Sequence, residues 1–152
     1  MAGLQDDIAL LSSVPLFAGM NDGQLRLVAF GAERRRLSPG QALFREHAPA
    51  ECAYIVAAGQ VDLTVTGRDG KPELKETVGA GTLLSELALV TLVERKYTAT
   101  ARAEAEVLRI TRSLFLRLLE EYPEIAAMVQ ERLRENLAAM VGGIEALDAH
   151  FT

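Results

Sequence analysis

The stretch GTLLSELALVTLVERKYTATARA, residues 81–103, decides how the rest of the chain is read. It sets one short apolar helical segment, opening on Ser85 and Glu86, between runs of strand-like sequence. Arg95 and Lys96 follow across a loop, and a strand rich in Thr and Ala runs on from Tyr97 to Ala103. The start of a helix offers unpaired N–H groups to an anion. A cation arriving from the far end of the loop completes the charge match. Glu86 repels a phosphate but accepts hydrogen bonds from a sugar hydroxyl. This is the chemistry of a pocket for a small ligand that carries both groups. A surface loop that simply exposes Glu94, Arg95 and Lys96 is the competing reading, and the residues alone leave it open.

Outward from this stretch the pattern is β on both sides. From about Glu33 to Ile110, short runs such as 42–44, 52–57 and the alternating Val61, Leu63 and Val65 are divided by turn residues. Pro39-Gly40 reads as a tight turn, and Asp69-Gly70 is the strongest hairpin signal in the chain. Near-regular short strands with glycines at corners argue for a small sandwich or barrel. A parallel α/β fold needs a long helix between successive strands, and none is visible.

Helical patterns occupy the two ends. Residues 4–31 read as helical, broken at Val14-Pro15, with Asn21 and Gln24 spaced as a capping box. A segment from Ser113 to Glu121 stops before Pro123, which suits the first turn of the next helix. In that helix Leu133, Leu137, Met140, Ile144 and Leu147 form a 4-3-4-3 seam for another helix or for the sheet.

Composition narrows the functional classes. The 152 residues carry 16 basic and 21 acidic side chains, a formal charge of −5. Arg34, Arg35 and Arg36 form one small cluster, read as a solvated face and short of the footprint that duplex nucleic acid requires. Cys52 stands alone, so no internal disulfide is expected and it reads as a small core residue. His47 and His150 lie far apart, which argues against a metal site, an imidazole triad or a cupin-like metal enzyme. Two aspartates stand where a secretory signal would be basic, and no apolar run is long enough to span a membrane. A cytoplasmic, non-catalytic protein is expected, with no nucleic-acid or membrane partner.

Several of these segments, in order, resemble the cyclic-nucleotide-binding domain of the catabolite-activator and protein kinase A regulatory type. The likeness runs through VPLF at 14–17, LSPGQALF at 37–44, AYIVAAGQVDL at 53–63, SELAL at 85–89 and TATARA at 98–103. It implies a mainly β fold with flanking helices: a jelly-roll barrel (double-stranded β-helix) between N-terminal and C-terminal helices. The expected layout is one domain over 1–152, with a helical part at 1–32, the jelly-roll at 33–111 and C-terminal helices at 112–148. The implied function is a non-catalytic sensor of cAMP or cGMP. The alternative is a degenerate jelly-roll that no longer binds nucleotide and serves as an interaction or dimerisation module. No DNA-reading winged helix is expected within these residues, so the chain reads as a sensor domain, stand-alone or part of something larger.

The resemblance also assigns roles. Glu86 matches the glutamate that binds the ribose 2′-hydroxyl, and Leu87 and Ala88 match positions whose N–H groups face the phosphate. Ser85 and His47 stand where the family usually has glycine. The phosphate-binding arginine falls on Tyr97 when counted back from Ala99-Thr100, and on Arg95 or Lys96 when counted forward from Glu86. Arg95 is favoured, because its planar fork holds two phosphate oxygens where an ammonium is a point charge. Thr98 is placed to hydrogen-bond a purine. A homodimer through the C-terminal helix is the expected assembly.

Overall fold

The computed structural model describes residues 3–141, with side-chain surroundings through residue 135. Helix α1 (Leu4–Ser12), a 3-10 turn at Pro15–Phe17 and α2 (Asp22–Gly31) come first. The capping box is present: Asn21 Oδ1 accepts the Gln24 N–H, and Gln24 Oε1 accepts the Asn21 N–H, both at 2.9 Å. The strands β1 (Glu33–Leu37), β2 (Ala42–Phe44), β3 (Pro49–Ala50), β4 (Cys52–Ala58), β5 (Val61–Thr66) and β6 (Pro72–Val78) follow. Next come β7 (Leu83–Leu84), a 3-10 turn at Glu86–Leu89, β8 (Val93–Glu94), β9 (Thr98–Ala101) and β10 (Ala105–Thr111). Helices α3 (Arg112–Glu121) and α4 (Pro123–Val141) close the described chain.

The strand pairing corrects the expected barrel. The strands form three separate antiparallel sheets, in the orders β1-β10-β4-β7, β2-β9-β5-β6 and β3-β8. Neither four-stranded sheet closes on itself, because β1 and β7 remain edges of one and β2 and β6 edges of the other. β3, β7 and β8 are only two residues long, too short to carry a ladder from one sheet into the next. The four helices contribute about as many residues as the strands, so the domain is mixed α/β and not mainly β.

One sheet is buried on both faces, which explains the near-continuous apolar run AYIVA. On β4 and β10, Ala53, Ile55, Leu108 and Ile110 face the helices and pack with Leu11, Phe17, Val28, Phe115 and Leu118. The alternate residues Cys52, Tyr54, Ala105 and Val107 face inward with Leu43 and Phe44 of β2. Val56, Val61, Leu63, Leu84 and Ala99 continue that inner layer. At the corner from β4 to β5, Gly59 has φ +81, and a Cβ there would lie 2.5 Å from the Glu104 carbonyl. Only glycine fits that corner.

The expected Asp69-Gly70 hairpin joins β5 to β6, closed by Gly67 N–H to the Lys71 carbonyl at 2.8 Å. On β1, Arg34 pairs with Asp7 and Glu106, Arg35 with Glu33, and Arg36 with Glu106, so the arginine cluster has acidic partners. The bond from Arg35 lowers the Glu33 carboxyl below its ordinary value, and the same bond raises Arg35. On α4, Ile125 and Val129 are buried and Leu133 is half-buried, all against the helical core. Of the remaining seam positions, Leu137 and Met140 lie beyond the described side chains, and Ile144 and Leu147, with the end of the 112–148 segment, lie outside the described residues.

Candidate functional site

The 85–98 segment is built differently from a helix start. Ser85 has φ 66 and ψ 48, and four residues of 3-10 turn follow it. So short a turn carries little macrodipole, and its hydrogen bonds are poorer than those of an α-helix. The Ala88 N–H donates to the Ser85 carbonyl at 3.0 Å, which gives one of the expected phosphate-facing groups a partner within the turn. Ser85 and His47, the two residues expected at glycine positions, are the only non-glycine residues with positive φ among those described. A side chain in that region is strained, so the local geometry is the glycine geometry carried by other residues.

The two cations of the loop part company. Lys96 is exposed, whereas Arg95 is 4% exposed. Its backbone is fixed on both sides, the N–H donating to the Ala48 carbonyl at 2.8 Å and the carbonyl accepting from His47 N–H at 2.7 Å. The side chain runs into the inner layer, where the guanidinium carbon sits 4.5 Å from the Phe44 ring centroid and 5.4 Å from that of Tyr54. The two rings are stacked, 5.9 Å between centroids. Arg95 Nη2 donates to Cys52 Sγ at 3.3 Å, and Nη1 is buried with no acceptor. Tyr54 holds its proton above the ordinary phenol value, first through burial and then through the neighbouring Cys52.

The other expected site residues are distributed around this centre. Glu86 is 6% exposed and Ser85 2%. Leu87, Tyr97 and Thr98 are partly exposed, and Tyr97 packs on the inner layer. Thr98 Oγ1 accepts the Glu46 N–H at 2.9 Å, which leaves its own hydroxyl hydrogen to donate.

Sequence reasoning missed four participants. Phe44, Tyr54 and Cys52 surround the Arg95 guanidinium, and inward parity on β4 (52, 54, 56) was the available signal. Arg112, first residue of α3, donates to the Ala88 carbonyl at 2.8 Å through Nε and to the Ala50 carbonyl at 2.6 Å through Nη2. It ties the 3-10 turn and β3 to the C-terminal helices, and nothing in its local sequence announces that.

Comparison with known proteins gives the class. The fold matches the cyclic nucleotide-binding-like protein of Brucella abortus with a TM-score of 0.70 and 46% identity, over 76% of this chain and 98% of that one. The cyclic AMP receptor protein of Thermus thermophilus is 30% identical over 125 residues, 80% of this chain and 58% of that protein. A lysophospholipase of Neurospora crassa is 30% identical over 114 residues, 75% of this chain but only 8% of the relative. Residues 34–122 match the cyclic nucleotide-binding domain, and the chain belongs to that family. It is a non-catalytic, regulatory domain of the type found in catabolite activators and protein kinase A regulatory subunits. Among the described residues no group of His, Cys, Asp and Glu is placed to hold a metal ion, and no helix is long and apolar enough to cross a membrane.

Proposed function

We propose that this domain binds a cyclic mononucleotide, cAMP or cGMP, with Arg95 on the phosphate and Glu86 on the ribose 2′-hydroxyl. The observation that carries the reading is Arg95 itself: a buried guanidinium whose Nη2 donates to Cys52 Sγ and whose Nη1 has no hydrogen-bond acceptor. An unpaired buried N–H costs about 1–3 kcal/mol, and more where the donor is charged. An incoming phosphate oxygen relieves that cost. Leu87 and Ala88 bring backbone N–H groups to the same anion, Ala88 by sharing or releasing its bond to Ser85. Tyr97 and Thr98 border the purine, and Lys96 stays in solvent. The similarity to a protein named a cyclic AMP receptor supports the choice of ligand. Two copies associate through the far part of α4, whose first turns are already used against the helical core.

Calorimetric titration with cAMP and with cGMP tests the reading. Saturable heat with one of them is expected. Silence with both at millimolar ligand refutes it, and leaves an interaction module on the same fold.

A further inference from the structure

Cys52 is the one oxidisable thiol beside Arg95, and nucleotide binding gives it no task. It is the only cysteine of the chain, opens β4 and is 3% exposed. Its sulfur accepts the hydrogen bond from Arg95 Nη2 at 3.3 Å, and Tyr54, two residues along the same face, packs in the same buried cluster. The sulfur thus lies against a guanidinium whose second nitrogen, Nη1, is buried without an acceptor. A thiol is a weak acceptor, and it meets only one of the two Nη groups. Oxygen atoms added to that sulfur would supply the missing acceptors where the cation already is.

We infer that Cys52 is a redox modification site: oxidised by a hydroperoxide, it becomes an internal anion that occupies Arg95 and excludes the ligand phosphate. The inference rests on the nucleotide reading for its consequence, and a site that opens to a nucleotide opens to the smaller peroxide. The sulfur attacks one peroxide oxygen, so that an S–O bond forms as the O–O bond breaks. The thiol proton goes to the departing oxygen, giving Cys52 sulfenic acid and water. Two electrons leave the sulfur and reduce the peroxide. A second equivalent of peroxide repeats the step and yields the sulfinic acid, which is ionised at neutral pH. Its two oxygens match the two-pronged donor set of the guanidinium. Thiol reductants reverse the first product and not the second.

The test treats the whole chain with hydrogen peroxide in the presence of dimedone, which traps sulfenic acids, and follows intact mass. With a single cysteine, any trapped adduct reports Cys52. An adduct is expected in the native protein, absent from both Cys52→Ser and Cys52→Ala, and forming several-fold more slowly in Arg95→Met. Peroxide treatment alone should lower cAMP affinity by at least about tenfold, one lost charge-assisted contact. In C52S the ratio of treated to untreated affinity should stay near unity. No adduct in native protein, under conditions that label the urea-unfolded chain, overturns the inference. So does an adduct that leaves cAMP affinity unchanged. Should untreated protein bind neither cAMP nor cGMP, the nucleotide reading fails separately. The labelling comparison then decides alone, and equal rates in wild type and R95M overturn the assignment of Cys52.

Discussion

Exchanging Arg95 for methionine separates the cost of this side chain from its use. Methionine has a similar length and no charge, and its sulfur packs well against aromatic rings. In the wild type the guanidinium gains from the Phe44 and Tyr54 rings, at 4.5 and 5.4 Å, about 0.5–2 kcal/mol together. The bond to Cys52 Sγ adds about 0.5–1 kcal/mol. Against these stand the unpaired Nη1 hydrogens, costing about 1–3 kcal/mol, and the desolvation of a buried cation. The expected balance is an R95M protein as stable as wild type without ligand, or more stable by up to about 2 kcal/mol. With ligand the sign reverses. Loss of the phosphate contact removes about 1.5–3 kcal/mol, roughly 10- to 150-fold in affinity. Urea unfolding with and without cAMP reads both effects in one experiment. Wild type should gain about 2.7 kcal/mol at a hundredfold excess of ligand over Kd, and the variant only about 0.3–1.4 kcal/mol at the same concentration. Exposed Lys96 supplies the control, since Lys96→Ala should leave affinity within about twofold. A variant destabilised by more than about 3 kcal/mol without ligand would make Arg95 a structural residue and refute the reasoning. A variant that still responds to cAMP like wild type would remove Arg95 from the phosphate.

Glu86→Gln should weaken cAMP more than 2′-deoxy-cAMP in calorimetry, and equal losses would show that Glu86 supports the loop without reading the sugar. Arg112→Met gives up two charge-assisted bonds to the Ala88 and Ala50 carbonyls and should cost about 2–4 kcal/mol in urea unfolding; a change below about 0.5 kcal/mol would mean water replaces it freely. Tyr54 holds its proton above the ordinary value of 10.0, so its contribution is intact below that pH and is lost as pH rises towards the raised folded value. Urea midpoints of wild type should therefore fall more steeply than those of Tyr54→Phe as pH rises past about 10, and parallel curves would contradict the assignment. Sedimentation at tens of micromolar should show a dimer, tightened by cAMP through linkage; a monomer in both conditions removes the α4 contact.

Local chemistry made part of this molecule legible. The Asn21–Gln24 cap, the Asp69-Gly70 hairpin and the Pro123 helix start each rest on residues within a few positions of one another, and each stands in the structure. Sheet closure was not legible, because it depends on which strand edges meet, and the alternation of β4 or β10 is the same in an open sheet as in a barrel. The segment Ser85 to Val90 read as a helix, and became a 3-10 turn over Glu86–Leu89 because Ser85 enters it in a left-handed conformation. Of the two neighbouring cations, spacing could not say which turns inward. That is decided by an aromatic wall supplied from Phe44 and Tyr54, some fifty and forty residues upstream.

The ribbon of β3 and β8 pairs only two residues on each side, and one of the four is Pro49, which has no N–H to offer. The adjoining bonds of Arg95 to Ala48 and His47 extend it by a single step. Such a ribbon frays as its own unit, at a free energy far below that of global unfolding. Amide hydrogens at 93–95 therefore exchange ahead of those in β4 and β10. Each opening also releases the two backbone bonds that hold Arg95 in place, so the cation of the site hangs from the loosest pairing in the sheets.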